Sequence, residues 1–195
     1  MTRSLALIAL VAVAIPARAD VIDLAFVRDQ AAIGKAVKSL NAERVAVLKF
    51  EVQIGDRPAT FDAGLANAKL PQKLENLLVV SNDTADPLLI LTGAADKADK
   101  LPPTTTWRDE AGRKALAGLT GLPLFWDEKQ KLSPDALLCG QLRVAADFST
   151  AAVTLYAFTK ANPLELKTIY TSPTTPAAQS HVCAPCVMFG SMKIG

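Results

Sequence analysis

Histidine appears once in 195 residues, at His181, and cysteine three times, at Cys139, Cys183 and Cys186. A Ser-His-Asp hydrolase needs an imidazole base beside its nucleophile. Here the sole imidazole lies in a terminal stretch rich in Pro, Thr, Ala and Ser, and no Gly-x-Ser-x-Gly occurs. Neither Gly-x-Gly-x-x-Gly nor a Walker pattern is present, which removes the usual loop-based phosphate cradles. Haem attachment needs a histidine after the second cysteine of C-x-x-C, and that position is Val187. Asp83-Thr84-Ala85-Asp86 lacks the alternating oxygen ligands and closing Glu of a calcium loop. After Asp20 no apolar run approaches the ~20 residues that a membrane-spanning helix needs.

Net charge is also missing once the first residues are set aside. Arg3 precedes an unbroken apolar run from Leu5 to Ile15, then Pro16 and the small-x-small triplet Ala17-Arg18-Ala19. That is the pattern of a secretory leader cut before Asp20. Removing residues 1–19 leaves 176 (195 − 19), and the 21 basic against 19 acidic residues become 19 against 19, because Arg3 and Arg18 leave. A body without formal charge has no general attraction for nucleic acid or anionic lipid. No cysteine stands at the cleavage point to carry a lipid, so membrane contact is expected only during export. The product is expected in the periplasm or outside the cell.

What is present is apolar patterning. Half of the residues are hydrophobic, enough for one packed domain over residues 20–172, followed by a Pro/Thr/Ala-rich tail over 173–195. Ile33, Val37 and Leu40 recur at helical spacing between Asp29 and Asn41. Arg44 to Phe50 reads as a central strand continuing towards Val52, and Gly55 to Gly64 as a long loop. Leu70, Leu74, Leu77 and Leu78 form the clearest helical stripe. Pro71 is expected in its first turn, with the start near Asn67 or Ala68. Leu88 to Leu91 reads as a buried strand, and short helices follow at Ala94–Lys100 and Asp109–Gly118. Gly121 to Trp126 reads as an apolar connector packed on the core. From Leu137, three strands with short turns predict an antiparallel meander. The expected fold is α/β (α+β): a mixed sheet with helices packed on it, ending in that meander.

Two segments carry a resemblance. Val45-Ala46-Val47-Leu48-Lys49-Phe50 resembles the opening strand of the α/β domain shared by the TolB amino-terminal domain, the curli secretion component CsgG and penicillin-binding-protein activator lipoproteins. Pro134-Asp135-Ala136-Leu137-Leu138-Cys139-Gly140-Gln141-Leu142 resembles that group's later strand, which leads into a final meander. The resemblance covers residues 41 to 172 and implies an envelope protein that binds other proteins, with no catalytic residues to transfer. The chain departs from the group by lacking the lipid-anchor cysteine and by its irregular segment between Gly93 and Asp135.

Among candidate sites, Cys183-Ala184-Pro185-Cys186 has the most chemical potential. In an exported chain such a pair closes a small disulfide, exchanges thiols or, with His181, contributes to a metal site. Without a following helix to stabilise a thiolate, the structural reading is preferred. Cys139, in an apolar strand, is expected to be a small core residue. No metal or cofactor is expected otherwise, because loop carboxylates such as Asp62, Asp127 and Glu128 are ordinary turn formers. Trp126 and Phe61 are the candidates to face a partner, with core packing the preferred role for Trp126. These features together predict a non-enzymatic envelope protein that binds or scaffolds other envelope proteins. The alternative is a thiol-redox or metal-binding protein using Cys183 and Cys186.

Overall fold

The computed structural model describes residues 26–176. Residues 1–19, read above as a leader, and His181, Cys183 and Cys186 lie outside them. Strand β1 (Arg44–Val47) sets the layering: Val45 and Val47 belong to one apolar cluster, Ala46 and the following Leu48 to another, and all are buried. A strand buried on both faces belongs inside a sheet covered on both sides. It pairs in parallel with β3 (Leu89–Leu91) and with β6 (Ala136–Val144).

Ile33 and Val37 of α1 (Gln30–Lys38), with Leu70, Leu74, Leu77 and Leu78 of α2 (Leu65–Val80), cover the Val45–Val47 face. Each such side chain contributes ~1.5–3 kcal/mol by burial, before entropy. The opposite face packs against Ala94 of α3 (Ala94–Ala98), Leu116 and Ala117 of α4 (Glu110–Ala117), and Trp107.

Among the described residues the sheet has nine strands. From one edge run β5 (Asp127–Leu132), β4 (Leu122–Leu124), β3, β1 and β6, then β7 (Thr150–Thr159) and β8 (Lys167–Thr171). Strands β6, β7 and β8 form the expected antiparallel meander, within the expected mixed-sheet α/β class. A short β9 (Thr175–Pro176) pairs with β7, so the sheet extends past residue 172.

Along β6, β1 is continued by β2 (Glu51–Ile54), but the register slips between them. Val47 to Glu51 is four steps, whereas their partners Leu138 to Gln141 are three. The extra residue makes a bulge across Leu48–Phe50. Two buried donors hold its carbonyls: Trp107 Nε1 donates to Lys49 O at 3.2 Å and Asn67 Nδ2 to Phe50 O at 2.6 Å. Asn67 Oδ1 also accepts from the Ala63 N–H just before α2, which ties the first turn of the helix to the segment that leads into it.

Two expectations need correction. Helix α2 starts at Leu65, which places Pro71 in its interior instead of its first turn. Asn67, anchored to the bulge, sets the start, and Pro71 leaves the Asn67 carbonyl without its usual helical N–H. The 121–126 connector is in part strand β4, which folds back on β5 as an edge hairpin. Its Leu122 and Leu124 are buried in the core as expected, but Phe125 and Trp126 stand exposed at the hairpin turn instead of packing on it.

A methyl group on Gly140 would overlap the Phe50 ring, which lies across β6 at the bulge. Gly140→Ala is therefore expected to cost about 1–3 kcal/mol, with Phe50→Leu recovering part of the loss. Urea unfolding of both single variants and the double tests this, and strictly additive losses would refute the contact.

Candidate functional site

The β4–β5 turn carries the largest aromatic side chain left in water. Trp126 is 52% exposed and its neighbour Phe125 37%. The turn itself is firmly held. Phe125 N–H donates to Ile90 O at 2.9 Å, and Thr92 N–H donates to Pro123 O at 2.9 Å, so the β4 flank of the hairpin is tied to β3, while β5 pairs with β4 alone. Asp127 Oδ1 accepts from Lys129 N–H at 3.1 Å and shapes the return. The two rings thus stand on a rigid base, which lowers the entropy cost of docking them.

Phe61, the other residue expected to face a partner, sits elsewhere. It is half-buried and meets Trp107 edge-on, with centroids 5.9 Å apart and planes at 89°. Thr60, just before it, exchanges two backbone hydrogen bonds of 2.8 Å with Val52, which pins this part of the 55–64 loop to β2.

Trp107 anchors a polar cluster that sequence reasoning missed. Its ring is 2% exposed and tilts over Tyr156 at 5.4 Å. The Arg108 guanidinium lies 4.4 Å from the Trp107 centroid and 5.7 Å from that of Tyr156. Arg108 donates twice to Glu51 Oε2, with Nε at 2.7 Å and Nη2 closer still. Gln141 Nε2 reaches the same oxygen at 3.4 Å, and Arg143 Nε donates to Gln141 Oε1 at 3.0 Å. Arg113 donates to the carbonyls of Trp107, Arg108, Pro163 and Leu164, clamping two loops. The only signal available in the sequence was a Glu and a Gln within otherwise apolar strands. With its guanidinium on Glu51 and over both rings, Arg108 holds Trp107 in place.

Cys139 is buried, its thiol 3.8 Å from the Tyr156 carbonyl, and burial pushes its pKa well up. It is the core residue the sequence suggested. Among the described residues no group of three His, Cys, Asp or Glu side chains is placed to hold a metal ion. Nor is any described helix long and apolar enough to cross a membrane.

No protein family, curated protein or solved structure matches the chain.

Removing Arg108 strands a buried carboxylate. Arg108→Ala is expected to destabilise the fold by about 3 kcal/mol, and adding Glu51→Gln should restore a good part of it. Chemical denaturation of the unaltered chain, Arg108→Ala and the double variant reads both numbers.

Proposed function

We propose that the chain is an exported module of the cell envelope that binds other proteins without bond chemistry, docking through the Phe125–Trp126 turn. The observation that carries this reading is the pair of adjacent aromatic rings exposed on a turn whose backbone is tied to β3. Tryptophan in a partly exposed, rigid setting is the residue type most enriched among binding hot spots. Burying what is exposed of the two rings would contribute ~2–4 kcal/mol by area, useful when backed by a polar rim.

The neighbouring strand supplies such a rim. Asp127, Glu128, Lys129 and Lys131 are all exposed on β5. Charges of both signs on an edge strand discourage another chain from extending the sheet there. The contact is accordingly made by side chains at the turn, with strand addition left to the β8 edge, where Lys167 is the single charge in Lys167–Thr171. The leader-like first nineteen residues and the resemblance to envelope domains support the location.

Two measurements test this. Mass spectrometry of protein recovered from the envelope should give a first residue of Asp20. A photo-crosslinking amino acid at position 126, in the full chain in intact cells, should give one discrete adduct that Phe125→Ser weakens. The same probe at Lys160 should give none. Equal, diffuse labelling at both positions would remove the reading.

A further inference from the structure

Glu75 is a carboxyl group without a partner. It lies on α2, only 7% exposed, and makes no hydrogen bond or ion pair with any described residue. It lines a cleft of ≈ 350 Å³ where the chain leaves β1 and β3, the carboxyl ends of two parallel strands. Diverging connections leave room for ligands at such strand ends.

The walls have a definite chemistry. Ala68, Pro71 and Ala95 give apolar surface, while Asp96 and Asp99 bring two more carboxylates from α3. The one cation lining the cleft, Lys49, is held by Asp99 at 3.0 and 3.1 Å. Glu75 and Asp96 are left facing the space together. An ionised carboxylate in such a setting keeps only the little water the cleft admits and has no counter-ion. Burial, and then the charge of Asp96, push the Glu75 pKa up to about 7.

We propose that this cleft binds the end of an aliphatic cation, a primary ammonium or guanidinium on a short apolar stem, with Glu75 as its buried counter-ion. The apolar walls accept the stem and the carboxylates accept the head. The site is distinct from the aromatic turn and stands whether or not that turn docks a protein. Its cation comes either from a free small amine or from a Lys or Arg side chain of a partner, and the head-group chemistry is the same.

Calorimetric titration of the purified full chain tests this with 1,5-diaminopentane, agmatine and N-acetyl-lysine amide, against butanol and butanoate as neutral and anionic controls. The cations should bind and the controls should not. Binding by the free amines alone assigns the site to small solutes, and binding by the lysine amide as well assigns it to a side chain. Affinity for the cations should rise about tenfold from pH 6 to pH 8 as Glu75 loses its proton. Lys49, Asp96 and Asp99 are the other charged groups facing it.

Glu75→Gln should lower the affinity at least tenfold, while Asp127→Asn leaves it unchanged. The same variant also reports on the missing partner. A folded pKa above the ordinary 4.5 means stability is lost as pH rises from that value through about 7. Glu75→Gln should therefore raise the unfolding midpoint at pH 8 and leave it unchanged at pH 5. Equal affinity in the Gln variant, equal binding of butanol or butanoate, or no stabilisation at pH 8 would each overturn the proposal.

Discussion

One extra residue in the strand beside β6 organises both layers of this molecule. At the Leu48–Phe50 bulge the backbone presents two neighbouring carbonyls to side chains, and a buried unpaired carbonyl would cost about 1–3 kcal/mol. Trp107 satisfies one and Asn67 the other. Trp107 thereby fixes the polypeptide leading into α4, and Asn67 fixes where α2 begins. The bulge also carries the Phe50 ring over β6, where only a glycine leaves room for it. A helix start, a loop anchor and a glycine in the neighbouring strand all follow from this single irregularity.

The other end of the same strand pair is held by charge. Arg44 Nε and Nη2 donate to the two carboxylate oxygens of Asp135 at 2.9 and 2.6 Å, and Arg44 N–H adds a third bond at 3.1 Å. Asp135 N–H returns one to Arg44 O at 2.8 Å. The Arg44 hydrogen bonds hold the Asp135 carboxyl below its ordinary range. Both partners remain about one-third exposed, so solvent screening keeps the pair modest in energy. Its value is in register: β1 and β6 meet with Val45 opposite Ala136, and a slip of one residue would turn every buried side chain to the wrong face.

Where apolar spacing was strong, the fold was legible in the sequence. Ile33, Val37 and the four leucines of α2 are buried where their periodicity placed them, and the meander follows its alternation. What failed to show were elements defined by hydrogen bonding. The true start of α2 depends on Asn67, whose partners Ala63 and Phe50 lie four and seventeen residues away. Strand β5 has almost no apolar side chain, because an edge strand with both faces in water needs none. A glycine has low helix propensity, yet at Gly112 of α4 a Cβ would collide with the Thr106 backbone, so the glycine permits close packing. Glu75 gave no warning at all: in sequence it is one more charge on a helix, and only the tertiary fold takes its solvent away. Trp126 was legible as an aromatic beside charges, but whether it faced core or water depended on the hairpin.

The aromatic turn and the Glu75 cleft meet at β3. Ile90 accepts from the turn at Phe125, while Thr92 both lines the cleft and donates to Pro123 in β4. Such contiguity invites the idea of coupling, but coupling needs an element with two discrete arrangements. Strand β3 is paired with β1 on one side and β4 on the other, and Ile90 and Leu91 are fully buried. Shifting it would break ladders on both sides and disturb two apolar clusters. The stiffness that makes the turn a good platform therefore isolates it from the cleft, so the two proposed sites are expected to act independently.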